Sequence, residues 1–576
     1  VGSEVDADAP LMEAGLDSLG AGELRNLLQR PCKATLPSTL VFEHPTARQL
    51  SRLLLAQGNG RPADAPRQTA AVDIDRLASV EVASSCAVGP GGAQGEGTAA
   101  LWRLVACGCD AVSEVPASRW DVRAGLDGAS SDLAERQRHA AFLADADLFD
   151  SGFFGVAPAE AAVMDPQQRR LLEVGYEALH GAAMRKASLQ GSLCGVFLGV
   201  WPPEFNDVLA RSPAALSVYA ATAAMCSVAA GRVSFVLGLQ GPCLSYDTAC
   251  SSSLAAAHGG MRALQLRECT AALALGVNMI FSQRFSALIA VAGMTSPHGR
   301  SHSFDRRADG YGRGEGCHAA VLRLAAGGLQ LLRGCVVRQD GRSASLTAPN
   351  GQAQQALVVA AVGESGLDAG EVSCYEAHGT GTALGDPIEV RSIALSVLHA
   401  RAGAAPLLVG SLKANAGHAE PAAGLAGMLR LSAGLSESRS PANAQLRALN
   451  PHIDSTLAEE AAGRCALPAQ LASADATAVR RGLAGGVSSF GYSGTIAHAL
   501  LSVDPGRPAP APTSLPPRLR RRRYAWAESP HPLAQLAGPP AAGRATFRSP
   551  IEGPLFALVR GHCVQGRVVF PAAGYL

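Results

Sequence analysis

The feature that most constrains this chain is the alternation that runs through residues 77–504. Short, almost uninterrupted apolar runs such as "CGVFLGV" and "AALALGVNMI" alternate with helical stretches such as "PQQRRLLEVGYEALHGA". Apolar runs of that kind read as strands buried on both faces, and their alternation with helices predicts an α/β architecture. The full chain has 576 residues, more than a single core accommodates, so several domains are expected.

The boundaries fall where that alternation stops. Residues 1–57 read as small helices, "SLGAGELRNLLQ" with Leu19, Leu24, Leu27 and Leu28, then "TARQLSRLLL" with Thr46 as an N-cap after Pro45. Residues 58–76 mix Gly, Pro and polar residues without an apolar period and read as a linker. A second linker, 505–530, is Pro-rich and then basic. Its run Arg520 to Arg523 reads as a solvated or surface-docked linker rather than a nucleic-acid patch. Residues 531–576 end in the strand-like "GPLFALVRGHCVQGRVVFPAAGYL".

Charge and composition exclude several classes. A formal net charge of +1 gives no general attraction to nucleic acid or to an anionic membrane. The longest uncharged stretch, 212–231, contains Pro213 and much Ala and Ser, which argues against a membrane span. The 14 cysteines show no repeating spacing, and Cys107 and Cys109 are too close for a zinc knuckle or a redox pair. No metal site is expected, and the cysteines read as reduced thiols of a cytoplasmic protein. Without an opening Met and with an apolar run at its end, the chain reads as cut from something longer.

The chemistry concentrates in three strings. In "GPCLSYDTACSSSLAAAHGGMRAL" a strand-type run leads to Cys250 and then to a helix with Leu254, Ala257 and Met261 on one face. A cysteine at a strand-to-helix turn, at the positive end of a helix dipole, is expected to favour thiolate and to act as a nucleophile. Alone it would read as one more small buried residue. "YEAHGTGTALGDPIE" places His378 in a loop of small residues, and "KANAGHAEPAAGLAGMLR" places His418 just before a helix opened by Pro421. Two loop histidines with a cysteine elbow make an active-site constellation.

These strings, with "GVSSFGYSGT", "DPQQRRLLEVGYEAL" and "SFDRRADGYGRGEG", resemble in order and spacing the motifs of β-ketoacyl synthase domains of type I polyketide and fatty-acid synthases. The resemblance covers residues 77–504. It implies a thiolase-like fold of two similar α/β halves in α-β-α-β-α layers, normally a homodimer. On it, Cys250 takes the acyl chain from a thioester. His378 and His418 donate hydrogen bonds to the thioester oxygen of a malonyl-type extender as it decarboxylates. Lys413 matches the family's active-site lysine. The backbone amides of Cys250 and Tyr492 would form the oxyanion hole, Thr380 and Thr382 would hold the pantetheine arm, and Phe490 and Tyr492 would line and gate the pocket. An aromatic there could equally be core. The family usually has Asn where this chain has Ile496, which removes a loop-bracing hydrogen bond, and "EVASSCAVGPGGAQG" is a poor copy of the usual first strand.

The flanks carry two further resemblances. "LMEAGLDSLGAGELRNLL" resembles the acyl carrier protein motif, which makes Ser18 the attachment point of 4′-phosphopantetheine at a helix start that favours an anion. "HCVQGRVVFPAAGYL" resembles a dehydratase pattern of the hot-dog fold, with His562 as its base. Between the ketosynthase and that segment there is no room for an acyltransferase and no GxSxG elbow. The implied partners are therefore carrier domains, a separate acyltransferase that supplies the extender, and downstream synthase domains.

Four rivals stay open at this level. A non-elongating ketosynthase typically lacks the first histidine, and His378 is present. A ketosynthase of a polyunsaturated fatty-acid synthase shares the motifs. A cysteine hydrolase would not need two histidines and a lysine, and a decoy or binding module would leave Cys250 unacylated.

Overall fold

The protein is described from a computed structural model, over residues 7, 11, 16, 18–32, 46–58, 78–91, 97–116, 118–120, 131–341, 343, 345–401, 404–474, 482–503, 517–526, 536–537, 547–548, 555–556 and 559–571. The chain forms two units, 1–72 and 73–576.

In the first unit, α1 (Ser18–Cys32) and α2 (Ala47–Gly58) are the described helices. Thr46 caps α2 as expected: the Gln49 N–H donates to Thr46 Oγ1 at 3.3 Å, and the Thr46 N–H donates back to Gln49 Oε1 at 3.4 Å. Leu50 is buried against Leu11, Leu24, Leu28, Leu53 and Leu54. Leu27, read with the apolar set of α1, is instead 59% exposed. One residue is about 100° of helix, so Leu27 turns off the face that Leu24 and Leu28 share.

The second unit is built on an 11-stranded sheet that consists of the same design twice. The first half contains β1 (Val80–Val88), β2 (Cys194–Gly199), β3 (Cys243–Tyr246), β4 (Ala271–Asn278) and β5 (Gly316–Leu324), in the order β1-β5-β4-β2-β3. The second contains β6 (Gln330–Gln339), β7 (Val372–Glu376), β8 (Leu407–Gly410), β9 (Leu483–Phe490) and β10 (Thr495–Val503), in the order β6-β10-β9-β7-β8. In each half the first two pairings are antiparallel and the last two parallel. The halves meet where Val80 and Glu81 of β1 pair with Leu332 and Leu331 of β6. The edge of β8 is extended by Cys465–Ala466. The irregular "EVASSCAVG" does form the first strand, with a register shift between Val82 and Ser84.

Helices cover both faces of each half, which is why β4 and β9 are buried along their whole length. Helices α3 (Pro166–Gly181) and α4 (Cys226–Leu237) lie on one outer side. Helices α6 (Gly351–Ser365) and α7 (Gly385–Ile393) lie on the other. Between the halves run α5 (Ser252–Gln265) and α8 (Ala423–Ser436), giving the α-β-α-β-α layers expected. The two central helices approach so closely that a Cβ on Gly424 would stand 2.7 Å from Leu254 Cβ.

Beyond the core, residues 517–526 lie back on the first half. Arg522–Arg523 pair antiparallel with Leu148–Phe149, Arg521 reaches Glu173 at 3.1 Å, and the Tyr524 hydroxyl meets Ser151 Oγ at 2.7 Å. The basic run is therefore docked on the surface. Further on, Cys563–Val564 and Arg567–Val568 form a small hairpin.

Candidate active site

Equivalent loops of the two halves build the site. Cys250 lies between β3 and α5. Lys413 and His418 lie between β8 and α8, the matching connection of the second half, and His378 follows β7. The turn into Cys250 is tight: Ala249 takes a left-handed φ of 53°, uncommon for a residue with a side chain. Ser489 Oγ donates to the Cys250 carbonyl at 2.7 Å, and Ser251 Oγ donates to the Thr495 carbonyl at 2.8 Å. The nucleophile loop is thus tied to the β9–β10 hairpin that carries Phe490 and Tyr492.

Cys250 is 7% exposed, and burial pushes its thiol up to about 12. Glu420 pushes the same way, against smaller opposing effects of Lys413 and of the backbone amides of Tyr492 and Cys250. Burial thus works against the thiolate expected at this turn. The amides of Cys250 and Tyr492 both bear on the sulfur.

Both histidines are held in one tautomer by the backbone. The Phe490 N–H donates to His378 Nδ1 at 3.3 Å, and the Glu420 N–H donates to His418 Nδ1 at 3.0 Å. With Nδ1 accepting, the hydrogen of each neutral ring sits on Nε2. Burial, reinforced by Lys413, holds both rings well below the usual histidine range, so they stay neutral donors. The rings stand 5.6 Å apart and almost perpendicular, and buried His418 Nε2 has no hydrogen-bond partner among the described residues. An orphaned buried donor at a reactive centre is a place for a substrate acceptor.

The buried Lys413 is lowered by desolvation and held up by Glu376 and Glu389. Thr380 and Thr382 sit together with hydroxyls 3.4 Å apart, and Thr382 Oγ1 also accepts the Gly385 N–H at 3.1 Å, at the start of α7. Phe490 serves two purposes. Its ring lies 5.4 Å from that of His378, and beneath it packs a small core of Leu357 and Ile496. Tyr492 is 49% exposed. The position of Ile496 is therefore apolar packing, and the turn is closed instead by the Gly491 N–H on the Thr495 carbonyl, 2.8 Å, and by Ser251.

The sequence reading missed the carboxylates that shape these loops. Glu389 accepts the His378 and Gly379 N–H groups at 2.7 and 2.8 Å. Asp386 accepts those of Phe304 and Gly381 at 2.8 and 3.1 Å, and Glu376 that of Leu412 at 2.7 Å. Glu420 is gripped by Arg313, 2.7 Å, and by Asn278, 2.8 Å; Arg313 also pairs with Glu204. All of these carboxylates but Glu204 stand inside the strings already quoted, and an acid beside a loop histidine among small residues was the available signal.

Ser18 opens α1, a 15-residue helix whose amino end suits an anionic phosphodiester. His562 lies outside the cluster, exposed beside the 563–568 hairpin with Nδ1 2.8 Å from the Val569 carbonyl. Among the described residues there is no group of three or more His, Cys, Asp or Glu able to hold a metal, and no helix long and apolar enough to cross a membrane.

Comparison with known proteins agrees with this geometry. The N-terminal domain of β-ketoacyl synthase matches residues 79–326, its C-terminal domain residues 329–447, and a phosphopantetheine attachment site residues 1–54. The pikromycin polyketide synthase component PikAII of Streptomyces venezuelae is 38% identical over 88% of this chain and 14% of its own length. The phenolphthiocerol synthesis polyketide synthase Pks15/1 of Mycobacterium bovis is 42% identical over 74% of this chain and 20% of its own. The chain thus spans no more than a fifth of these two relatives. The ketosynthase from module 6 of the bacillaene synthase of Bacillus subtilis superposes with a TM-score of 0.65 at 28% identity, over 74% of this chain and 72% of that one. The oxazolomycin ketosynthase domain OzmH KS7 of Streptomyces albus does so with 0.65 at 29%, over 77% and 75%. With Cys250 and the two histidines seated on a duplicated sheet of this kind, the chain belongs to the β-ketoacyl synthase family, as a ketosynthase of the type I modular polyketide synthases preceded by a phosphopantetheine-bearing carrier domain.

Proposed function

We propose that this site extends a polyketide chain by decarboxylative Claisen condensation, with Cys250, His378 and His418 as the catalytic residues. The observation that carries the reading is the pair of backbone-fixed tautomers, which makes both rings Nε2–H donors beside one nucleophile.

In the first step the Cys250 sulfur attacks the carbonyl carbon of an incoming acyl thioester. The oxygen gathers charge against the amides of Cys250 and Tyr492, and the carrier thiol leaves with the proton that Cys250 gives up. In the second, a malonyl-type thioester loses carbon dioxide, and the electron pair of the broken bond moves into an enolate. Its oxygen accepts hydrogen bonds from His378 and His418. The enolate carbon then attacks the acyl-Cys250 carbonyl, the cysteine sulfur departs, and a proton from water restores the thiol. Lys413 sustains the positive field around the pair. Thr380 and Thr382 offer hydroxyls to the arm of the visiting carrier, and Phe490 and Tyr492 line the entry. A ketosynthase that merely hands acyl chains on has no need of the second donor, so the pair favours elongation over that reading. The polyunsaturated fatty-acid variant differs in product, not in this site.

On Ser18, 4′-phosphopantetheine supplies a long flexible thiol arm that makes acyl delivery effectively intramolecular. A second copy of the chain fits the open edge at β3, where Cys243, Leu244 and Ser245 are exposed at the end of a buried sheet beside exposed Phe235 and Met225. The absence of a GxSxG elbow between residues 505 and 530 supports a separate acyltransferase as the extender's source. The His562 pattern supports a dehydratase downstream, and the free cysteines suit the cytoplasm.

The test is intact-protein mass of the wild type, Cys250→Ala and His378→Ala after an acyl thioester and then a malonyl-loaded carrier. Acylation at Cys250 followed by a β-ketoacyl product, with no acylation of Cys250→Ala and no product from His378→Ala, is expected. Acylation of the wild type without product would leave the acyl-transferring reading instead.

A further inference from the structure

The docked segment 517–526 carries Trp526, whose ring covers an ion pair sealed inside the first half. The Arg119 guanidinium lies 4.7 Å from the Trp526 ring and 4.9 Å from that of Phe281; the two rings are themselves 5.2 Å apart, edge to face. The Trp526 indole N–H donates to the Ser118 carbonyl at 3.2 Å, which pins the ring to the turn that carries Arg119. Arg119 Nη2 reaches both oxygens of Glu315, at 2.9 and 2.8 Å, and the two side chains are 3% and 0% exposed.

Glu315 is not an ordinary ion-pair partner. Its oxygens also accept the Ile280 and Leu143 N–H groups, each at 2.8 Å, and its own N–H donates to the Ala141 carbonyl at 2.8 Å. It thereby fixes three chain segments at one point. The residue before it, Gly314, donates to the His418 carbonyl at 2.8 Å, and the His418 N–H donates to Gly312 at 2.7 Å. Asn278, two residues before Ile280, bonds both the Gly314 carbonyl and Glu420 at 2.8 Å, and Glu420 supplies the N–H on His418 Nδ1. An unbroken series of contacts runs from Trp526 to the ring of His418.

We propose that Trp526 and Arg119 are positioning residues for His418: the segment that follows the ketosynthase core keeps water off the Arg119–Glu315 pair, and that pair sets the backbone against which His418 is held. The inference rests on the reading of His418 as a donor to the extender thioester. A buried ion pair keeps its geometry only while it is shielded, since water competes for both partners. Small displacements of a donor are costly to a reaction that depends on alignment.

The experiment uses the whole chain with Trp526→Ala, Trp526→Phe and Arg119→Lys. Diethyl pyrocarbonate labelling of His418, followed by peptide mass with His378 as the internal reference, reads ring access without any assumption about catalysis. Single-turnover acylation of Cys250 and condensation with a malonyl-loaded carrier are then timed separately. The proposal expects faster labelling of His418 in Trp526→Ala and Arg119→Lys, with His378 unchanged. It expects condensation to be slowed by about tenfold or more, acylation to stay close to wild type, and Trp526→Phe to restore most of the loss. Labelling of His418 that stays at the wild-type rate, or that rises equally at His378, would overturn it. So would acylation and condensation falling in parallel. A wild type that neither acylates nor condenses would sink the catalytic reading, while the labelling would still decide whether Trp526 holds His418.

Discussion

The ring of His418 is joined to the backbone of Glu420 rather than to its carboxylate: the Glu420 N–H donates to His418 Nδ1 at 3.0 Å, while the Glu420 carboxylate turns away to Arg313. Glu420 adopts a left-handed φ of 49° to do so. The tautomer of the His418 ring thus depends on a strained turn, and the turn depends on a buried ion pair.

Arg313→Met is accordingly expected to do more than remove a charge. It leaves Glu204 and Glu420 buried without the guanidinium that both contact. Breaking a buried pair from one side costs about 3–5 kcal/mol, far more than the net worth of an exposed one. The urea midpoint should fall accordingly, and condensation should fall further than acylation of Cys250. An unchanged midpoint would show that the two carboxyls are held well enough without Arg313.

The acidity of Cys250 separates two opposed influences. Burial pushes the thiol up to about 12, while Lys413 and the backbone amides of Tyr492 and Cys250 pull it down. If burial prevails, the thiolate fraction climbs about tenfold for each pH unit below that value. Iodoacetamide alkylation of Cys250, followed by peptide mass, should still be rising at pH 10. A plateau below pH 8 would mean that Lys413 and the two backbone amides win, and that Cys250 rests as a thiolate.

Ile496 gives a third expectation. Restoring the family's usual residue as Ile496→Asn should not improve this chain. The position is fully buried under Phe490 and Leu357, and the turn is already closed by Gly491 and Ser251. An amide there loses apolar contact and finds no evident partner, a cost of about 2–4 kcal/mol. Thermal unfolding should shift downward, and faster condensation than wild type would refute the packing role.

Those same residues show what the sequence made legible. The loops of Cys250, His378 and His418, which the structure brings together, could be read because sharp turns among small residues leave a local pattern. The duplicated halves followed from the resemblance. What could not be read was set by tertiary contact: a helix end does not reveal how deeply its cysteine is buried, and "GTIAHA" does not reveal that Ile496 sits beneath Phe490. Glu204 lies far along the chain from Arg313 and carries no local sign of the pairing. Leu27 was misread for the simpler reason that one residue of rotation separates a buried helix face from an exposed one.

The contact between α5 and α8 yields the last prediction, because it lets one methyl group report on the seam between the halves. Gly424 opens α8 against the start of α5, and a Cβ there would stand 2.7 Å from Leu254 Cβ, 3.1 Å from the Leu254 N and 3.2 Å from Ser489 Cβ. Leu254 is on the helix that follows Cys250, and Ser489 holds the Cys250 carbonyl. None of these atoms is the free end of a flexible side chain, so Gly424→Ala must move backbone. Overpacking of this kind costs about 1–3 kcal/mol. The displacement falls on both supports of the nucleophile, so acylation of Cys250 should slow along with the loss of stability. Gly363→Ala, at a helical position where a Cβ meets nothing within 4 Å, is the control that should leave acylation unchanged and hold or slightly raise the midpoint. If Gly424→Ala unfolds at the wild-type midpoint and acylates at the wild-type rate, the two central helices can slide apart, and the site does not depend on how closely they pack.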